Sequence, residues 1–142
     1  MKTVFRLVIP VAALAVGLAA MSLSSGCGTN APPHGPATVR GKVTLNGQPV
    51  AGGLVVFTPN PDRGGRGKSA YAETGADGSY LLLLDKSKAI PAGWYRVSLS
   101  PPPATAAGLF PAKLARPDLS GLEREVQMGK EHVFEFVVEV KE

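Results

Sequence analysis

Nucleophiles and bases are scarce in this chain: one thiol, Cys27, and two imidazoles, His34 and His132. A thiol reacts with electrophiles as its thiolate, and a lone one in an oxidising compartment tends to be oxidised or cross-linked unless it is modified. Hydrolytic relay chemistry needs a nucleophile, a histidine and a carboxylate converging within hydrogen-bond reach. His34 lies among Pro32, Pro33 and Pro36, and His132 opens an alternating run in which its neighbours Glu131 and Val133 point away. No serine occupies a nucleophile-elbow motif. Catalytic residues and a cofactor are therefore not expected.

Binding chemistry has three candidate locations. Asp62-Arg63-Gly64-Gly65-Arg66-Gly67-Lys68 sets Arg63, Arg66 and Lys68 among three glycines, a composition that can cradle an anion with backbone N–H groups and charge. The same segment reads as a solvated hairpin loop, which is favoured because its spacing matches no phosphate-loop motif and no helix follows. Asp77, in Ala76-Asp77-Gly78-Ser79, is the lone carboxylate of its turn. A calcium loop needs several oxygen ligands, so a structural turn and no metal site are expected. Trp94, Tyr71 and Tyr80 could make an aromatic platform for a sugar ring; burial in a core or at a sheet margin is the commoner fate of such rings.

Residues 1–26 have the parts of a secretory signal. Lys2 and Arg6 supply the positive end, and the stretch from Leu7 to Met21 is uncharged and apolar, broken only by Pro10 and Gly17. It falls short of the roughly 20 residues a spanning helix needs. Small residues then precede the cysteine in Leu23-Ser24-Ser25-Gly26-Cys27-Gly28. The arrangement resembles the lipobox of bacterial lipoproteins, in which the thiol is acylated and the chain cut before it. Leu23 stands one place earlier than usual, with Ser24 in the customary leucine position. Acylation would give the thiol a purpose and hold the protein at a membrane, each buried CH₂ contributing about 0.8 kcal/mol.

Removing this leader leaves 15 − 2 = 13 basic residues against 11 acidic, so the net charge drops from +4 to +2. With no dense cationic stripe, nucleic acid is not an expected partner. Residues 27–37, rich in Pro and Gly, read as a tether. Residues 38–142 read as one all-β domain, since short alternating runs are separated by Gly, Pro, Asn and Asp and no window carries a helical stripe.

The runs are Val39–Leu45, Leu54–Thr58, Ala70–Thr74, Tyr80–Leu84, Trp94–Ser100, Leu122–Met128 and Glu131–Val140. Val39, Val43 and Leu45 share one face of the first, opposite Arg40, Lys42 and Thr44. Asn46-Gly47 after it is a strong hairpin signal. In the last run Phe134, Phe136, Val138 and Val140 face one way, with Glu135 and Glu139 the other. A long connection is expected between Pro101 and Ser120. Seven strands so spaced suggest a two-sheet antiparallel sandwich.

Several of these segments also carry a family resemblance. Val43-Thr44-Leu45-Asn46-Gly47-Gln48-Pro49-Val50, Val55-Val56-Phe57-Thr58-Pro59, Thr74-Gly75-Ala76-Asp77-Gly78-Ser79-Tyr80 and Ile90-Pro91-Ala92-Gly93-Trp94-Tyr95-Arg96-Val97 occur in that order. The chain resembles the carboxypeptidase regulatory-like domain, in lipoproteins of the kind abundant in planctomycete bacteria. The resemblance implies a seven-stranded antiparallel Greek-key sandwich of transthyretin (prealbumin) type, an extracytoplasmic location and no catalysis. The expected function is a structural or protein-interaction module at the membrane surface, with carbohydrate or other ligand binding as the alternative. Expected partners are the membrane, through a lipid on Cys27, and envelope proteins or glycans. Gly28 lacks the aspartate that retains some lipoproteins at the inner membrane, so the outer membrane is favoured by analogy.

Overall fold

A computed structural model describes residues 36–104 and 110–141. The leader, Cys27, His34 and all of the expected tether up to Gly35 lie outside the described residues. The strands are β1 (Thr38–Leu45), β2 (Gln48–Pro49), β3 (Leu54–Pro59), β4 (Ala70–Glu73), β5 (Ser79–Leu81), β6 (Gly93–Ser100), β7 (Glu123–Val126) and β8 (Glu131–Val138). Two short 3-10 turns, Pro61–Arg63 and Ala112–Ala115, are the helical elements among the described residues. One sheet runs β4-β3-β6-β7; in the other β1 is central, with β2 and β5 along one side and β8 along the other. The domain is an all-β sandwich, its sheets mainly antiparallel.

Period-two patterning explains which face each strand buries. Val39 and Val43 of β1, Val55 and Phe57 of β3, Tyr95, Val97 and Leu99 of β6 and Phe136 and Val138 of β8 all point between the sheets. Phe57 is fully buried and sits at the centre of an aromatic cluster, its ring 6.0 Å from those of Tyr95 and Phe134 and 6.3 Å from that of Phe136. The Pro101–Ser120 connection adds Phe110 and Leu114 to this core. Ala37, assigned from sequence to the tether, is buried and exchanges backbone hydrogen bonds with Ile90, so the folded domain begins at least one residue earlier.

The expectation of a wholly antiparallel sandwich is corrected at β8, which runs parallel to β1 from Thr38↔Glu131 to Leu45↔Val138. β7 belongs to the opposite sheet, and the Gln127–Lys130 connection carries the chain across the sandwich before β8 begins. Strand periodicity reports which face is buried but says nothing about the direction of the neighbour. Two residues secure the seam. Gly41 has no side chain where one would overlap the Phe134 carbonyl oxygen, and Tyr80 reaches across it to donate its hydroxyl to that oxygen at 2.7 Å. Asn46, at φ 47° beside Gly47 at φ 80°, makes the β1–β2 turn. Its amide donates to Val138 O at 2.8 Å and its Oδ1 accepts from Val140 N at 2.9 Å.

β5 is shorter than expected because the chain changes sheets. Leu82 N still donates to Val39 O of β1 at 2.9 Å; beyond it the chain leaves that strand, and Leu83 exchanges two 3.0 Å backbone hydrogen bonds with Tyr71 of β4. This stitches the two sheets along one side of the sandwich.

Candidate functional site

The three aromatics proposed as a platform are separated by the fold. Tyr80 is corrected to a core residue: it is 4% exposed, its ring stacks on Phe136 at 6.2 Å, and its hydroxyl is used on Phe134 O. Burial pushes the phenol pKa well up, opposed by the Arg124 charge. Tyr71 stands on the outer face of β4, 55% exposed. Trp94 lies on the outer face of the same sheet, half-buried, but two strands away and farther along. No shared platform is formed.

The cationic loop does not converge on one point either. Asn60, buried to 1% exposure, organises its start: Oδ1 accepts from Asp62 N at 3.1 Å, the carbonyl accepts from Arg63 N and Gly65 N, and Nδ2 donates to Glu123 Oε1 at 2.9 Å. Arg63 lies with its guanidinium 4.1 Å from the Trp94 ring centre, and its Nε pairs with Glu123 Oε2 at 3.2 Å. Lys68 points elsewhere and pairs with Asp85 at 2.8 Å, which holds its ammonium pKa above the ordinary value. Arg96 is taken by Asp62. Among the described residues Arg66 is in no ion pair. The sequence therefore located the cations without their partners. The structure makes a different grouping, Arg63 and Arg66 with Trp94 around a groove of about 300 Å³.

Asp77 accepts from both the amide and the hydroxyl of Ser79, at 3.1 and 2.6 Å, and these bonds hold its carboxyl below the usual range. His132 stacks on Phe134 at 5.3 Å, with Nε2 accepting from Gln127 N at 2.9 Å. Among the described residues no three histidine, cysteine or acidic side chains cluster as metal ligands would.

One surface escaped the sequence reading. β8 is paired only with β1 among the described residues. The carbonyls of Lys130 and Val138 accept from β1, at Thr38 N and Asn46 N. Alternation therefore turns the N–H and C=O groups of Val133, Glu135 and Val137 toward the free edge. Val133 and Val137 are also exposed on the outer face, at 52% and 65%. Beside this edge, between it and β7, lies a groove of about 300 Å³ with Leu99, Leu114, Leu122 and Phe136 in its lining and Arg124 at its wall. The Arg124 guanidinium sits 5.0 Å from the Phe136 ring centre and covers the open flank of the core. Exposed valines on the strand face that also carries Glu131 and Glu135, with Glu139 just beyond, are the signal that could have revealed the edge.

No family model and no curated protein matches the chain. Among solved structures it is similar to the dioxygenase domain of a dioxygenase carbohydrate-binding protein fusion from the cellulolytic bacterium Streptomyces sp. SirexAA-E. Identity is 26% and the TM-score 0.44, over 80% of this chain and 85% of that one.

Proposed function

We propose that this chain is a non-catalytic cell-envelope lipoprotein, held at the membrane by acylation of Cys27, whose sandwich is a protein-interaction module. Support for the anchor is the short apolar leader, the small residues before Cys27 and the Pro-rich stretch behind it. For the fold we favour the seven-stranded Greek key of transthyretin type, β2 being a two-residue return of the β1 hairpin. That reading goes with the carboxypeptidase regulatory-like resemblance and an extracytoplasmic, outer-membrane address.

The observation that carries the interaction reading is the β8 edge, which is unpaired among the described residues. Unpaired backbone donors and acceptors beside an apolar groove are what an added strand engages, main-chain bonds giving affinity and the groove selectivity. A photo-reactive side chain at Val137 in the cell-bound protein should give a discrete cross-linked product, and one at exposed Lys88 should not. Equal labelling from both positions would remove the edge from the proposal. For the anchor, intact mass of membrane-extracted protein should show a chain beginning at Cys27 with acyl mass. Cys27→Ser should abolish the acyl mass and release the protein; an unmodified chain starting elsewhere would refute lipidation.

A further inference from the structure

At the far end of β6 from the interaction edge's groove wall, a separate corner of the sandwich has the makings of a ligand site. We infer that the groove formed by Arg63, Arg66, Pro91, Trp94 and Tyr95 binds an acidic saccharide, a sugar ring bearing a carboxylate or sulfate. This goes beyond the interaction module and does not depend on it.

The first argument is charge. Glu123 offsets Arg63, and Asp62 is engaged by Arg96. Arg66 is thus the one cation of the groove lining without an ion-pair partner among the described residues, and it matches one oxyanion; Glu125, opposite Trp94 in the β6–β7 register, is not part of that lining. The second is preorganisation. Arg63 sits over the Trp94 ring at 4.1 Å and is held through Nε by Glu123, and no described hydrogen bond uses its two Nη groups. A planar guanidinium with free terminal nitrogens suits bidentate recognition of an oxyanion. The groove's framework is itself pinned, because Tyr95 donates to Pro91 O at 2.8 Å and Trp94 O accepts from Asn60 N at 2.9 Å.

The third argument is size and lining. About 300 Å³ is far more than a bare oxyanion fills, and exposed Pro91 and Ala92, with the part of Trp94 that Arg63 leaves uncovered, offer apolar surface to the C–H faces of a sugar ring, while buried Tyr95 backs the groove. A free anion would leave those walls in water. Two arginines on one loop, without a basic stripe, fall short of a nucleic-acid footprint.

Trp94 is the single tryptophan of the chain, so tryptophan emission of the detergent-extracted full-length protein, excited selectively over its tyrosines, reports this groove. Trigalacturonate should cause a saturable change at millimolar concentration or below; neutral cellotriose and sodium sulfate at matched ionic strength should not. Arg66→Ala should weaken binding about tenfold, the loss of one charge-assisted contact, with the thermal midpoint unchanged because Arg66 is exposed. Arg63→Lys keeps the charge but removes the planar fork, and should weaken binding by a similar factor. A flat titration with trigalacturonate would overturn the inference, as would an equal response to cellotriose. Sulfate binding as tightly as trigalacturonate would overturn the saccharide assignment. None of these results bears on cross-linking at Val137, so the two readings fail separately.

Discussion

Along the β4–β5 side, Tyr71 and Leu83 exchange two 3.0 Å hydrogen bonds and join one sheet to the other. Along the β7–β8 side no such bridge is present among the described residues; Arg124 covers the aromatic core there and a groove of about 300 Å³ remains. Both sides enclose the same core, yet one consumes its backbone groups internally and the other leaves a strand edge unpaired. An edge of this kind is a standing invitation to association, which charged side chains moderate. Glu135 on β8 and Glu139 just beyond its end flank Val137 as such guards would. The difference separates residues that hold the fold from residues whose exposure stability does not require, and each prediction tests that separation.

The largest effect is expected where the open edge is fastened to the rest. An alanine at Gly41 would drive its Cβ into the Phe134 carbonyl oxygen and come within 2.9 Å of the Tyr80 hydroxyl. Neither obstacle can move without parting β1 from β8 or expelling a core ring. Gly41→Ala should lower unfolding free energy by about 3 kcal/mol, measured by urea denaturation. A loss near zero would mean that β8 can slide along β1 and that the edge is not held as described.

Next comes the corner beneath Trp94. Asn60→Ala removes an acceptor for Asp62 N and a donor to Glu123 at a site 1% exposed. A cost of about 2 kcal/mol is expected, together with a red shift of Trp94 emission as the Glu123–Arg63 clamp loosens. Unchanged emission would show that Arg63 stays on the ring without the Asn60 support.

Tyr80→Phe should cost about 1 kcal/mol at neutral pH by removing the 2.7 Å bond to Phe134 O. It should also alter the alkaline limb of stability. Burial raises the pKa of both Tyr80 and Tyr95 above the ordinary phenol value of about 10. The folded state therefore retains protons that the unfolded state gives up. The resulting stabilisation is complete below about pH 10 and is lost as pH rises from there toward the folded values. Thermal midpoints of the wild type should fall steeply above pH 10, and those of Tyr80→Phe less steeply. Parallel curves would place the hydroxyl in water.

How far such features could be read from sequence depends on whether they are local. Phe134, Phe136 and Val138 alternate with Glu135 and Val137, so the buried face of β8 was legible, as was the Asn46-Gly47 turn, whose conformation those two residues determine. Tyr71 alternates with Ala70 and Ala72 and shares its side of β4 with Glu73, a local pattern that agrees with its outer-face position. Tyr80 opens the unbroken apolar run Tyr80-Leu81-Leu82-Leu83-Leu84, which has no polar alternation to tell the buried face from the other. The parallel partner of β8, the change of sheet after Leu82 and the seat of Arg63 on Trp94 all join residues far apart in the chain. Arg63, Arg66 and Lys68 looked like one group because they are neighbours in sequence, whereas Glu123 and Asp85 pull two of them apart.

The smallest effect on stability should come with the largest effect on association. Val137 is 65% exposed on the outer face of β8, so Val137→Lys uncovers no core and should change unfolding free energy by less than about 0.5 kcal/mol. The lysine nevertheless adds charge to a free edge, the device by which edge strands resist pairing. With the photo-reactive group moved to Val133, the substitution should remove the cross-linked product while leaving the denaturation curve in place. Lys88→Glu, on the opposite side of the domain, should leave both unchanged. If Val137→Lys destabilised the fold as much as Asn60→Ala, the open edge would be holding the sandwich together. If it left the cross-link intact, association would run through some other surface, and the contrast between the stitched side and the open side would be one of architecture alone.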